Sequence, residues 1–176
     1  MESYKEKLAS INTLIFDVDG VFTNSQLLLM PDGEMVRAMS TRDGFAVQLA
    51  IKKGLTICII TGGKSEAVRE RFMRLGVKDV FLNVSDKVQV LKKYITENKL
   101  NLNNTLYMGD DLPDLHVMQQ VGLPCCPVDA VAEIKQVSNY VSPYQGGNGC
   151  VRDIIEQVLK TQGLWMLNEN THTKSI

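Results

Sequence analysis

The sequence predicts an α/β fold, one domain in which a parallel sheet is sandwiched by helices and a small β-hairpin follows the first strand. Three observations predict it. Short apolar runs alternate with longer amphipathic stretches along the chain, without internal repeats, which is the pattern of parallel β-α units. A single segment breaks the alternation with a turn signal, "PDGE" at 31–34. The unusual polar residues fall where apolar runs end, the edge at which open parallel sheets hold ligands.

The apolar runs are "TLIFDV" (13–18), "LTICII" (55–60), "DVFLNV" (79–84), "TLYMGD" (105–110), "LPCCPV" (123–128) and a weak "NYVS" (139–142). Helical stretches are expected around 43–53, 64–75, 86–98, 112–120, 130–136 and 150–160. The exception, "SQLLLMPDGEMVRAM" (25–39), places two β-capable pieces around Pro-Asp-Gly. Proline presets one turn dihedral and glycine accepts positive φ, so this segment reads as a hairpin. Leu27, Leu28, Leu29, Met30 and Met35 lie on it. A two-stranded ribbon is marginal alone in water, so its apolar face calls for cover from this chain or another subunit. The sixteen residues "TQGLWMLNENTHTKSI" lose the pattern and read as a tail.

Composition bounds the function. The chain of 176 residues is 44% hydrophobic and 22% charged with a net charge of −1, the profile of a soluble globular protein without an electrostatic case for nucleic acid or an anionic membrane. The longest clearly apolar run, "LTICII", is too short to span a bilayer, and "MESYKEKLAS" lacks the apolar core of a signal peptide, so a cytoplasmic location is expected. Four cysteines (58, 125, 126 and 150) form no C-x-x-C and have no histidine nearby, which argues for buried thiols over a zinc site.

The chemistry begins in "TLIFDVDGV", with Asp17 and Asp19 two residues apart. If the extended conformation persists to Asp19, both carboxylates face one volume and require a cation between them. Thr61, followed by Gly62 and Gly63, ends the second run. Lys87 starts the helix after the third, and Asp110, Asp111 and Asp114 of "GDDLPD" follow the fourth. Taken singly, each has a bland reading: an Asx turn, a helix cap, a solvated lysine. Together they deliver acids, a hydroxyl and an amine to one cleft. One carboxylate from the first strand and one from the fourth make a hard oxygen site suited to Mg²⁺ and a phosphate ester. Lys87 and Thr61 would neutralise the phosphoryl oxygens, Asp17 would attack phosphorus, and Asp19 would serve as acid and then base.

In these motifs the chain resembles the haloacid dehalogenase-like phosphohydrolases, with "DVDGV", "ITGG", "SDK" and "GDDLPD" similar to the four family motifs. The hairpin in place of a large cap domain is similar to the capless subgroup that contains the 3-deoxy-D-manno-octulosonate 8-phosphate (KDO 8-phosphate) phosphatases of lipopolysaccharide sugar biosynthesis. So are "STRDG" (40–44), "GGNGCVRDI" (146–154) and the terminal "KSI". The resemblance implies a Rossmann-like single domain over residues 1–176, with a hairpin flap at about 24–39 and a C-terminal tail at about 161–176. It implies Asp17 as nucleophile and metal ligand, Asp19 as acid/base and ligand through its backbone carbonyl, and Asp110 as the other Mg²⁺ ligand. Asp111 and Asp114 would support them, and Thr61 and Lys87 would hold phosphate. Ser40, Thr41, Arg42, Asp43, Gly44, Gln48, Gly63 and Arg71 fall at substrate-contact positions, some reaching across a subunit boundary of a homotetramer. Guanidinium pairs bidentately with a carboxylate, so Arg42 or Arg71 suits a sugar acid. Gly63 stands where many octulosonate enzymes carry arginine, which leaves a nine-carbon nonulosonate 9-phosphate open beside the eight-carbon substrate. A non-catalytic scaffold of the same fold would have lost the nucleophile, the acid or the lysine, and none is lost. In a phosphorelay receiver domain, which also gathers acids, a threonine and a lysine around Mg²⁺, the lysine comes last, whereas Lys87 precedes "GDDLPD".

Overall fold

Alternation of side chains along each strand divides the apolar residues between two faces of one sheet, and this division sets the layers. The computed structural model describes residues 3–165. In chain order the elements are α1 (Tyr4–Leu8), β1 (Thr13–Phe16), β2 (Leu28–Leu29), β3 (Met35–Val36), α2 (Thr41–Lys52), β4 (Thr56–Ile60), α3 (Glu66–Arg74) and β5 (Asp79–Phe81). They continue with α4 (Lys87–Glu97), β6 (Thr105–Met108), α5 (Leu115–Met118), β7 (Leu123–Cys126), α6 (Ala132–Val137), β8 (Tyr140–Val141) and α7 (Cys150–Thr161). The six-stranded sheet runs β5-β4-β1-β6-β7-β8, with every pairing parallel. Leu14 and Phe16 of β1, Ile57 and Ile59 of β4, and Leu106 and Met108 of β6 pack with α1, α2, α3 and α7. Ile15, Cys58, Ile60 and Tyr107 point to the other face, toward α4, α5 and α6.

The sheet starts at β1 in its middle, builds outward through β4 and β5, then continues with β6 on the other side of β1. The strand order therefore reverses between β1 and β6. At such a switch point the crossover helices diverge to opposite faces and open a crevice beyond the carboxyl ends of the strands. Asp17 follows β1 and Asp110 follows β6, so the reversal sets the two acids at one opening. The α/β architecture is the one the sequence predicts.

Several details differ from the sequence reading. Helix α1 was not anticipated: it is five residues long with only Leu8 buried, too short to carry periodicity. Strand β1 ends at Phe16, and Asp19 lies in a turn, so the extended conformation does not reach it. The stretch after "GDD" is a 3₁₀ turn (Leu112–Asp114) followed by the short α5. The hairpin pairs only Leu28 with Val36 and Leu29 with Met35. Of the expected tail, Thr161 completes α7 and the Gln162 amide donates to the carbonyls of Leu8 (3.1 Å) and Ile11 (2.7 Å), while 166–176 lie outside the described residues. The four cysteines are buried and unpaired. Among the described residues, no helix is long and apolar enough to cross a membrane.

Candidate active site

Asp17 continues β1 by one hydrogen bond, its N–H donating to the carbonyl of Met108 on β6 (3.1 Å). Its side chain is buried under the cleft. Asp86 caps α4 by accepting the N–H of Gln89 (2.9 Å), which fixes Lys87 at the first helical position and aims it inward. The ammonium stands 2.9 Å from Asp17 Oδ2 and 2.7 Å from Asp114 Oδ1. Burial alone would lower the lysine's pKa, but Asp17 and Asp114 outweigh it and raise it, so Lys87 is a fixed positive charge.

Asp114 is fully buried and engaged at both oxygens. Besides Lys87, its Oδ1 accepts the Tyr107 hydroxyl (2.7 Å), and its Oδ2 accepts the backbone N–H of Asp110 (3.3 Å). Sequence reasoning treated Tyr107 as one more apolar strand residue. The available signal was a phenol inside a buried strand, which must find a partner for its hydroxyl. Two glycines let these groups approach. A Cβ on Gly20, whose φ is +86°, would overlap the Asp110 carboxylate, and one on Gly109 would overlap the Asp114 side chain.

Oxygen atoms of Asp17, Asp110 and Asp114 lie within 4.8 Å of one another. Burial, then Asp114, raises the Asp17 pKa to about 6 against the pull of Lys87; burial, then Asp17, Asp114 and Asp111, raises Asp110 to about 8. One lysine does not neutralise this cluster. Asp17 Oδ1 is buried with no hydrogen-bond partner. A buried, unpaired carboxylate oxygen beside a half-buried second carboxyl fits a small hard dication that retains waters and takes a phosphate oxygen. Asp17, Asp110 and Asp114 each offer an oxygen that could hold Mg²⁺, with Asp114 also engaged by Lys87 and Tyr107.

Thr61 directly follows β4 and is buried, its N–H donating to the carbonyl of Phe81 and its Oγ1 accepting the N–H of Gly63 (3.2 Å). Asp19 stands outside the three-carboxylate cluster and meets the hairpin. Arg37, immediately after β3, forks it: Nε to Oδ1 at 2.7 Å and Nη2 to Oδ2 at 3.0 Å. The sequence reading missed Arg37, since nothing local marks a pairing across so long a turn. Asp111 is exposed and caps the 3₁₀ turn through the N–H of Leu112 (2.8 Å).

The remaining site candidates divide. Ser40 caps α2 by accepting the Asp43 N–H (3.3 Å), and with Thr41 and Arg42 it lines a cavity of about 750 Å³ whose other walls include Tyr144, Asn148 and Arg152. None of the carboxylate cluster lines that cavity. Asp43 does not present its carboxylate to solvent: it is fully buried, and its Oδ1 accepts the Arg152 N–H (2.8 Å), tying α2 to the start of α7. Gly44 leaves room for Arg71, whose Nη2 lies 2.8 Å from where a Cβ would stand. Gln48 is half-buried on α2. Arg71 and Arg37 both line a cavity of about 220 Å³ at the root of the hairpin.

Comparison with known proteins gives the chain its relatives. Residues 76–154 match the model of the haloacid dehalogenase-like hydrolases. The 3-deoxy-D-manno-octulosonate 8-phosphate phosphatase KdsC of Escherichia coli K12 is 32% identical over 157 residues, spanning 89% of this chain and 84% of that protein. The crystal structure of 3-deoxy-D-manno-octulosonate 8-phosphate phosphatase from Moraxella catarrhalis, in complex with magnesium ion, phosphate ion and KDO, superposes with a TM-score of 0.88. Its sequence identity is 30%, with 92% of each chain covered. The enzyme of the same name from Yersinia pestis gives a TM-score of 0.89 at 30% identity, covering 92% of this chain and 87% of that one. With identity and fold shared over nearly the whole length, the chain belongs to the haloacid dehalogenase-like hydrolases, in the family of the 3-deoxy-D-manno-octulosonate 8-phosphate phosphatases.

Proposed function

We propose that this chain is a Mg²⁺-dependent phosphomonoester hydrolase that releases phosphate from 3-deoxy-D-manno-octulosonate 8-phosphate. The observation that carries the chemistry is Asp17: a buried carboxylate with one oxygen held by Lys87 and the other without a partner, at the switch point of the sheet. In the first step the Asp17 carboxylate attacks phosphorus, and the bond to the sugar oxygen breaks as Asp19 donates a proton to that oxygen. In the second, Asp19 takes a proton from water, which attacks the aspartyl phosphate and frees Asp17 and inorganic phosphate. Lys87 and the Thr61 hydroxyl hold the phosphoryl oxygens, and Asp114 keeps Lys87 in place. Asp17 and Asp110, with the backbone carbonyl of Asp19, would hold Mg²⁺, which would supply positive charge where the transferring group becomes most negative. Asp111 supports the loop.

The sugar-acid substrate is supported by the names of the relatives and by the arginines near the cleft. Arg42, with Ser40 and Thr41, stands on one cavity, and the buried Asp43 lies on the same turn; Arg71 lines the cavity at the hairpin root, Gly44 lies against Arg71, Gly63 lies beside Arg37, and Gln48 is the further candidate on α2. The active unit is a homotetramer assembled through the hairpin, supported by side chains exposed between 40% and 71% at Leu27, Leu28, Leu29, Met30, Met35 and Val36. A cytoplasmic location is supported by the four unpaired thiols, which persist in a reducing compartment.

A phosphate-release screen with Mg²⁺ tests this reading. KDO 8-phosphate is expected to be hydrolysed with a higher kcat/KM than nonulosonate 9-phosphates, and both far better than glucose 6-phosphate. A nine-carbon acid in first place would reverse the ranking, and silence toward all sugar-acid phosphates would overturn the substrate class.

A further inference from the structure

Arg37 is the one strong cation that the hairpin sends into the cleft, and its surroundings are built. Its side chain is 7% exposed although it springs from an exposed ribbon. Nη1 donates to the carbonyl of Met35 (2.8 Å), which fixes the plane of the guanidinium, and the remaining edge, Nε and Nη2, forks the Asp19 carboxylate. Gly63 makes room for it: a Cβ there would stand 3.3 Å from Arg37 Nη2, 3.5 Å from Asp19 Oδ2 and 3.6 Å from Thr61 Oγ1. The guanidinium therefore fills the space that a side chain at position 63 would take, directly beside the phosphate-holding hydroxyl. It also borders a cavity of about 560 Å³ between the hairpin and the loop carrying Gly62, Gly63 and Lys64.

We infer that Arg37 is a specificity-determining residue that exchanges the Asp19 carboxylate for the carboxylate of the substrate, so that the enzyme is released for catalysis by the class of ester it selects. The inference rests on the sugar-acid reading above. The fork of a guanidinium fits one carboxylate at a time. To meet the leaving oxygen, the Asp19 side chain must turn from Arg37 toward the phosphoryl group, which leaves a nearly buried cation without its partner. Such a group is costly to strand. A substrate with its own carboxylate refills the fork; a phosphate ester without one does not, and for it Asp19 stays on Arg37. Selection and activation then reside in one ion-pair exchange rather than in two separate contacts.

The test compares KDO 8-phosphate with p-nitrophenyl phosphate, which has no carboxylate, in Arg37→Gln, Arg37→Lys and Gly63→Ala. In Arg37→Gln, kcat/KM toward the sugar acid is expected to fall about 100-fold, chiefly through KM, the loss typical of a charge-assisted bidentate pair. Turnover of p-nitrophenyl phosphate is expected to rise about threefold as the tethered fraction of Asp19 is freed. Arg37→Lys keeps the charge without the fork and is expected to fall between. Gly63→Ala pushes on Nη2 and is expected to lower the preference for the sugar acid several-fold while Arg37 is still present. Equal losses on both esters in Arg37→Gln would mean that Arg37 only steadies Asp19, and unchanged kinetics on both would make it a bystander; either result overturns the exchange. If the wild-type protein shows no preference for the carboxylate-bearing ester, the substrate reading falls and this role with it. A wild-type preference that survives intact in Arg37→Gln removes the role of Arg37 alone.

Discussion

Around Asp17 each contributing segment is anchored to a strand or a helix cap, whereas the hairpin that overhangs it is joined by two residue pairs and exposes its apolar side chains. Asp17 is hydrogen-bonded to β6 through its backbone, Lys87 is set by the cap at Asp86, and Asp114 is held by three donors. The tip of the hairpin is closed by its own local bonds, the Met30 N–H to the Glu34 carbonyl and the Gly33 N–H to the Met30 carbonyl (each 2.9 Å), rather than by a bond to the sheet or a helix cap. Chemistry on phosphorus needs groups held to fractions of an ångström, and the rigid edge of a parallel sheet provides that without outside help. Substrate choice is assigned to the looser element, where a change of partner can alter the answer.

The contrast can be broken most severely at Asp17. Asp17→Asn is expected to abolish phosphate release while melting no lower than wild type, because the amide removes the nucleophile together with a charge that repels Asp110 and Asp114. Residual turnover above background would rule out the covalent route. Asp19→Asn is expected to slow turnover about 10² to 10⁴-fold, the usual loss with a general acid/base, and to accumulate acid-stable [³²P]protein if hydrolysis of the intermediate becomes limiting. An effect below tenfold would assign the proton transfers elsewhere.

Two further changes sharpen the comparison from its two sides. Tyr107→Phe takes one donor from a fully buried carboxylate, and a loss of about 1.5 to 3 kcal/mol in urea unfolding is expected, with activity reduced on every ester alike. Leu28→Glu with Met30→Glu strikes the hairpin. Light scattering is expected to show smaller species, and activity should fall on the sugar acid more than on p-nitrophenyl phosphate. A wild-type protein that scatters as a fully active monomer would remove the assembly argument.

The smallest expected effect is one of pH. Without a divalent ion, Asp17 and Asp110 have pKa values raised from 3.8 to about 6 and about 8 in the folded chain, so the folded state binds more protons than the unfolded one through that window. Stability is therefore greatest at low pH within that range and is lost as pH rises through the folded values. In EDTA the melting temperature is expected to be lower by a few degrees at pH 8.5 than at pH 5.5, and added Mg²⁺ should raise it most at the higher pH. A flat or rising profile in EDTA would contradict the crowding of these acids.

Strand ends were legible in the sequence because an apolar run that stops at a carboxylate or a hydroxyl is visible without three-dimensional information. The order Asp17, Thr61, Lys87, Asp110 is set by the order of the β-α units. What the sequence could not show depends on distant partners. Asp43 stands at a substrate-contact position in the resemblance, and nothing near it in sequence shows that its carboxylate meets the backbone of Arg152. Asp19 reads like the twin of Asp17, but the end of β1 at Phe16 turns it toward Arg37. In both cases the deciding contact joins residues whose separation no periodicity records.

The four buried thiols offer an internal stopwatch. Cys125 packs with the layer that contains α7, Cys58 and Cys126 with the opposite layer, and Cys150 donates to the Val21 carbonyl at the foot of α7 (3.2 Å). A thiol-modifying dye can reach them only when packing opens. The rate of colour development will then time the breathing of each layer separately, once three of the four are replaced by alanine or serine in turn. If ligands at the cleft tighten both halves, all four clocks slow together; if they tighten only the region around β1, Cys150 slows and Cys126 keeps its pace.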